Sequence, residues 1–297
     1  MIKSCNDFIP AVNILIPRGN TMKTLFVSDL DGTLLRSNET TSDFTNKTIN
    51  ELVSKGMIFS YATARSYVTS KKVTKGMKPP IPLIVYNGAF VIDNATEEIL
   101  LSNFFNDDVK SLLDDLVEHN IYPIVYSFWD GTERFSYIYD KCTEGMKAFI
   151  GSRKGDRRDN PINLVRYLYY GNIFYITCID DEYKLAPFYE KYKNQYNCIF
   201  HRDIYSNEPW LEFMPQTASK ANAILQLKEH LHCDRLVVFG NGKNDIDMFK
   251  LADECYAVEN AVDELKQIAT AVIPKNDNDG VARWLLHYFD SNCDKST

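Results

Sequence analysis

No run of 18 or more apolar residues occurs anywhere in this 297-residue chain, so no membrane-crossing helix is expected. Cys-x-x-Cys pairs are missing too. The seven cysteines, at 5, 142, 178, 198, 233, 255 and 293, are odd in number, widely spaced and mostly inside apolar runs. A disulfide framework and a zinc site are therefore disfavoured, and reduced, buried thiols of a cytoplasmic protein are expected. Positive charge is also short: 33 Lys and Arg stand against 40 Asp and Glu, a net charge of -7. That balance argues against nucleic acid or an anionic membrane as partner and favours one that brings its own cation. Residues 1–21 lack the basic start and small-residue cleavage site of a signal peptide. They are expected to be a poorly ordered extension outside the fold. Internal repeats and low-complexity tracts are absent.

Against these absences, 45% of the residues are hydrophobic, enough for a large domain and a smaller one. Strands are expected over 24–30, 57–63 and 82–88. Helices over 43–55, stopped by Gly56, and from 66 to about 75 fall between them. That alternation is the mark of βαβ units and a parallel sheet. From 89 to about 200 the rhythm changes. A hairpin is expected from 122–129 and 134–140 around Asp130-Gly131-Thr132, with helices over 107–119 and 181–194 and strands over 173–180 and 198–205. The βα rhythm then returns, with strands over 210–214, 235–240 and 256–258 and helices over 219–232, 244–254, 261–269 and 280–289. The economical fold is α/β: a doubly wound parallel sheet from 22–88 and 206–297, with an α+β domain inserted at 89–205.

The segment Leu25-Phe26-Val27-Ser28-Asp29-Leu30-Asp31-Gly32-Thr33-Leu34 ends an apolar strand with two carboxylates two residues apart. Gly32 breaks the strand, so both acids are expected in one crevice at the carboxyl end of the sheet. Acids that close raise each other's pKa unless they share a cation or a proton. A divalent metal, or a nucleophile beside an acid/base, suits them. A second polar element, Gly240-Asn241-Gly242-Lys243-Asn244-Asp245, also follows an apolar strand. In a parallel sheet its oxygens would gather at the same edge, where Asp, Asn and main-chain carbonyls suit Mg2+. Taken alone, Asn-Gly and Asn-Asp are equally well explained as turn formers. Thr63 closes the second strand, where its hydroxyl and the N–H groups from Ala64 onward would receive a phosphoryl group. Lys220, in the first turn of its helix, would neutralise phosphate and nucleophile. A lone Thr or Lys is usually solvated surface; the order and the placement after strands give these two their value.

Together, Asp29-Leu30-Asp31-Gly32-Thr33-Leu34, Thr63, Lys220 and Gly240 to Asp245 resemble the four motifs of the haloacid dehalogenase superfamily, in their usual order. Asn244-Asp245-Ile246-Asp247-Met248-Phe249, Asn87-Gly88-Ala89 and Asn278-Asp279-Gly280-Val281-Ala282 resemble the Cof-type phosphatases within it, with a large α/β cap of the IIB kind. The resemblance runs from about Lys23 to Phe289. It implies a Rossmann-like core, an inserted cap and Mg2+-dependent hydrolysis of small organic phosphomonoesters such as sugar phosphates. On that pattern Asp29 is the nucleophile that forms an aspartyl-phosphate, and Asp31 is the acid/base. Thr63, Ala64, Lys220 and Asn244 would bind phosphate; Asp29, Asp31, Asn241 and Asp245 would hold Mg2+; Arg65, Asn87 and Gly88 would meet substrate.

The pattern is departed from twice. Asn241 stands where relatives usually have Asp; its carbonyl oxygen can still meet the metal, but one negative charge is removed, so either Mg2+ binds more weakly or Asp245 takes on more of the ligand role. Ala64 stands where relatives often have Gly. Asn241 motivates the alternative of a weakly active phospho-ligand sensor, and a phosphomutase is a further alternative because an aspartyl-phosphate can pass its phosphoryl group to a second hydroxyl instead of water. Within the insertion, Tyr122, Tyr126, Phe128, Trp129, Phe135, Tyr137 and Tyr139 fall in one hairpin, with Tyr137 and Tyr139 expected on one face. Such rings more often form the domain's own core than a stacking site. Arg153, Lys154, Arg157 and Arg158 would meet a second anionic group or simply form a solvated loop. The expected partner is a small phosphate ester, without nucleic acid or membrane, bound by a monomer or weak homodimer.

Overall fold

Five residues, Thr24–Ser28, form the first strand, β1, and all but the first are buried. In this computed structural model, residues 22–78, 82–203 and 206–293 are described, so the extension expected over 1–21 lies outside the described residues. After β1 come helix α1 (Asp43–Ser54), β2 (Ile58–Tyr61), α2 (Tyr67–Val73), β3 (Leu83–Val85), β4 (Phe90–Ile92) and β5 (Ile99–Ser102). Both helices begin on a serine: the hydroxyls of Ser42 and Ser66 accept the N–H groups of Thr45 and Thr69, satisfying donors that a helix start leaves open.

The chain next builds α3 (Val109–Glu118), β6 (Ile124–Trp129), β7 (Thr132–Tyr137), α4 (Glu144–Gly151), β8 (Asp159–Pro161), β9 (Asn172–Ile179), α5 (Glu182–Tyr192), β10 (Asn197–Arg202) and β11 (Pro209–Met214). It ends with α6 (Lys220–His230), β12 (Arg235–Gly240), α7 (Ile246–Leu251), β13 (Glu254–Val258), α8 (Asp263–Ile268), β14 (Ala271–Ile273) and α9 (Gly280–Cys293). Two units result, one from the described residues up to Ser102 with those from Ser219 onward, the other Asn103–Ala218.

The first unit holds a five-stranded parallel sheet in the order β14-β13-β12-β1-β2. This is the expected Rossmann-like core. Central β1 is covered on both faces, which explains its unbroken apolar run; Leu25 and Val27 have no exposed surface. Phe26 packs against Trp284, Tyr288 and Phe289 of α9 at ring distances of 5.5 to 6.5 Å. A small antiparallel sheet, β3-β4-β5, belongs to the same unit.

The second unit is a six-stranded mixed sheet, β10-β11-β9-β6-β7-β8, antiparallel except for β7 with β8. Leu112 and Leu116 of α3 and Leu185 and Phe188 of α5 share a core with Val125, Ile176, Leu211 and Phe213 of the sheet. Tyr126, Phe135 and Tyr137 are buried and pack on one another, as rings of the domain's own core do. Tyr139 lies beyond the end of β7 in a 3-10 turn and is exposed, so it does not share a strand face with Tyr137. In the basic run, Arg158 is buried and paired with Asp156 and Glu133, and Arg153 lies over the Phe149 ring. Only Lys154 and Arg157 of the four are exposed.

Both unit borders fall later than the 88/89 and 205/206 expected from the change of rhythm. At the first, β4 pairs with β3 and β5 with β4, which keeps 90–102 with the first unit. At the second, Trp210 to Met214 does form a strand, but it pairs with β9 and β10 and closes the second sheet.

Candidate active site

Register brings the first site residues together. Ser28 at the end of β1 pairs with Tyr61 on one side and Phe239 on the other. Asp29 therefore comes level with the loops that carry Thr63 and Asn241, and its N–H still donates to the Phe239 carbonyl at 2.9 Å. Gly32, at φ +76°, turns the chain out of line. An added Cβ there would run into the Asn241 amide, so glycine is required both for the turn and for the close approach.

Asp29, Lys220 and Asp245 form one buried trio. The Lys220 ammonium donates to Asp29 Oδ1 at 2.5 Å and to Asp245 Oδ1 at 2.8 Å; the three side chains are 7%, 2% and 0% exposed. Ser219 caps α6 by accepting the Asn222 N–H, which fixes Lys220 at the first position of the helix. The other Asp245 oxygen accepts the N–H groups of Asn241 and Gly242 at 2.9 and 3.0 Å. Asp245 thus ties its own loop to the lysine. Thr33 places its hydroxyl 3.0 Å from Asp29 Oδ2 and 3.1 Å from Asn241 Oδ1.

One ammonium facing two carboxylates leaves an excess negative charge in a dry place. The Asp29 carboxyl is raised to about 7: burial pushes it up most, Lys220 pulls it back, and Asp245 and Asp31 push it up. Burial also works against the Lys220 charge, but Asp245 and Asp29 outweigh it and hold the ammonium protonated.

Asp31 belongs to a second, outer cluster. Its carboxylate accepts from Arg65 Nε at 2.8 and 3.0 Å and from Nη2 at 2.6 Å. The same Nη2 donates to Glu39 Oε2 at 2.9 Å. Arg65 thus reaches the acid pair itself. Thr63 is buried and its hydroxyl accepts the Arg65 N–H at 3.1 Å, while Ala64 between them is exposed. Asn244 is exposed on the last loop.

Asn87 and Gly88 join two of the motifs. The N–H groups of Tyr86 and Asn87 donate to the Arg65 and Thr63 carbonyls, each at 2.9 Å. Gly88, at φ +94°, lies so close to Ser219 that a Cβ would overlap its carbonyl, with the Lys220 nitrogen 3.1 Å away. Gly88→Ala is therefore expected to lower stability by about 2–4 kcal/mol, combining left-handed strain with a clash at the start of α6. Urea unfolding checks this; an unchanged midpoint would show that the α6 start simply gives way.

The sequence model of the haloacid dehalogenase-like hydrolases matches residues 26–285. The chain belongs to this family. Two Bacillus subtilis proteins, both called 5-amino-6-(5-phospho-D-ribitylamino)uracil phosphatase, are each 26% identical to it. The alignments cover 91% and 86% of this chain and 98% and 95% of theirs. A Thermotoga maritima crystal structure is 25% identical, covers 90% of this chain and 97% of its own, and has a TM-score of 0.71. A haloacid dehalogenase-like hydrolase from Bacteroides thetaiotaomicron shares the fold at a TM-score of 0.73 and 22% identity, covering 90% and 99% of the two chains.

In this haloacid dehalogenase-like hydrolase the four motifs meet on one sheet edge through the contacts above. Sequence reading missed Glu39, which has no local signal inside the polar stretch 36–41. It also passed over Thr33, although a hydroxyl directly after Asp-x-Asp-Gly was there to be read. Among the described residues no three His, Cys, Asp or Glu side chains gather into a metal-binding group.

Proposed function

We propose that the chain is a Mg2+-dependent phosphomonoesterase of small organic phosphates that works through an aspartyl-phosphate on Asp29. The observation that carries this reading is the buried Asp29–Lys220–Asp245 trio at the carboxyl edge of the parallel sheet, with Thr33 and Asn241 beside it. A buried carboxylate fixed by an ammonium is oriented for attack and shielded from water. As the Asp29–phosphorus bond forms, the ester P–O bond breaks and Asp31 gives its proton to the leaving oxygen. Asp31 then takes a proton from water, whose oxygen attacks phosphorus and returns Asp29 as a carboxylate. Lys220 offsets charge on Asp29 and on the transferring group. Thr63 and the N–H groups after it, with Asn244, would receive the phosphate oxygens.

The donors fit a hard divalent cation. The single Thr33 proton serves only one of its two oxygen neighbours at a time, so Asp29 and Asn241 present an oxygen pair with lone pairs to spare. The trio's excess negative charge points the same way. Asp29, the main-chain carbonyl of Asp31 and the Asn241 amide oxygen would hold Mg2+. Bound there, Mg2+ would neutralise charge on the nucleophile and the phosphoryl group. Asp245 organises the loop through Lys220 and two loop N–H groups, and its Oδ1, which accepts Lys220 alone, keeps a lone pair with which it would complete the cation's ligands.

Polyol and sugar phosphates are the substrate class we favour, supported by the phosphoribityl compound named for the two Bacillus relatives. The test is phosphate release from p-nitrophenyl phosphate and from hexose, pentose, ribityl and flavin phosphates, with and without Mg2+. Turnover no greater than that of Asp29→Asn would sink the reading.

Asn241 separates an active enzyme from a ligand-binding relative. Asn241→Asp adds a charged ligand, and about tenfold less Mg2+ is expected to reach half-maximal rate, with the maximal rate within about threefold. A far larger gain in maximal rate would favour the weakly active sensor instead.

A further inference from the structure

Glu39 occupies a conformation that its residue type avoids. Its φ is +60°, in the left-handed region that glycine and asparagine tolerate. The loop enforcing this is tied down on several sides. Arg36 pairs with Asp279 through Nε at 3.0 Å and Nη2 at 2.5 Å. Ser37 donates from both N–H and hydroxyl to Asp277 at 2.9 and 2.8 Å, and Asn276 Nδ2 donates to the Leu35 carbonyl at 2.9 Å. Within the loop, Glu39 N–H meets the Arg36 carbonyl and Arg36 N–H meets the Thr40 carbonyl. A glycine would suit that backbone better, yet the residue there carries a carboxylate that meets Arg65.

That side chain reaches Arg65. The Nη2 group of Arg65 carries two protons and uses them on two acids, Asp31 Oδ1 and Glu39 Oε2. Arg65 in turn grips Asp31 with its Nε. We propose that Glu39 is a positioning residue for Asp31, acting through Arg65. By accepting the second Nη2 proton it fixes the plane of the guanidinium, whose Nε and Nη2 groups grip both oxygens of Asp31, and so fixes the direction in which Asp31 presents its carboxyl to the leaving oxygen. Without Glu39, the second Nη2 proton loses this acceptor, the plane of the guanidinium is less firmly fixed, and Asp31 is held less well in line with that oxygen.

This inference rests on the phosphatase reading, and leaving-group chemistry tests it separately. Departure of p-nitrophenolate needs no proton, whereas departure of an alkoxide does. The quantity to read is kcat/KM, which covers the steps through leaving-group departure, for p-nitrophenyl phosphate and glycerol 2-phosphate in Mg2+. Glu39→Gln is expected to lower kcat/KM for glycerol 2-phosphate by about tenfold or more and that for p-nitrophenyl phosphate by less than about threefold. Glu39→Asp, which keeps the charge, is expected to recover part of the loss. Arg65→Lys, which lacks the planar fork, is expected to show the same selectivity. Equal losses on both esters, or none on either, would overturn the role of Glu39 while leaving the phosphatase reading intact. Absence of wild-type turnover on both esters would overturn the two together.

Discussion

Asparagine in place of Asp29 is expected to abolish phosphate release, with a fall on the order of 10⁴-fold or more, because in the mechanism proposed above Asp29 is the group that bonds to phosphorus. Residual turnover within about a hundredfold of wild type would remove Asp29 as nucleophile. The same substitution has a second effect, opposite in sign, on stability. Burial raises the folded-state pKa of Asp29 to about 7, above the value near 3.9 of an unfolded aspartate. A carboxyl raised in this way contributes its full stability below about pH 4 and loses it as pH climbs through 7. The amide introduced by Asp29→Asn cannot ionise and leaves Lys220 with Asp245 as a neutral pair. In EDTA, the melting temperature of D29N should therefore rise relative to wild type between pH 4 and 7, and the gap should level off above that. Melting curves at pH 4, 5.5, 7 and 8 decide it; a gap that does not change with pH would mean the trio carries no excess charge.

The parallel core was legible because its cause is local. Thr24–Ser28 and Arg235–Gly240 are apolar throughout their centres, a pattern that a strand covered on both faces produces and a half-exposed one does not. Partner choice leaves no such trace. Trp210 to Met214 reads as a strand in either sheet, and only pairing with Ile176–Ile179 and Asn197–Arg202 assigns it to the second. Short strands such as Phe90–Ile92 and Ala271–Ile273 span three residues, too few for a period to show.

The site divides along the same line. Asp29, Asp31 and Lys220 announce themselves by chemistry placed directly after strands or at a helix start. Glu39 and Gly88 act through partners 26 and 131 residues away, Arg65 and Ser219, and a single sequence holds no record of that proximity. Asp245 falls between the two. Its position in an acidic loop suggested a cation ligand, whereas its oxygens turn to Lys220 and to two N–H groups of its own loop. A carboxylate that accepts three such bonds serves as a brace whether or not it also meets a cation. Spacing alone does not tell a brace from a ligand.

The brace sets the outcome for Lys220. Lys220→Met keeps the length and apolar stem of the side chain but removes the ammonium, leaving Asp29 and Asp245 buried and facing each other. Breaking a buried ion pair from one side costs about 3–5 kcal/mol, mainly because the abandoned charge stays dry. A fall of that size is expected in urea unfolding, together with a loss of about 10²–10³-fold in turnover as the developing phosphoryl charge loses its cation. A turnover loss alone would not separate catalysis from collapse, and Lys220→Met/Asp245→Asn does. Neutralising Asp245 removes one of the two stranded charges, so the double variant should recover much of the lost stability. It should stay as inactive as the single one, since the new amide supplies no positive charge to the phosphate. If it melts no higher than Lys220→Met, the trio is not an electrostatic unit; if activity returns with stability, Lys220 serves the fold and not the chemistry.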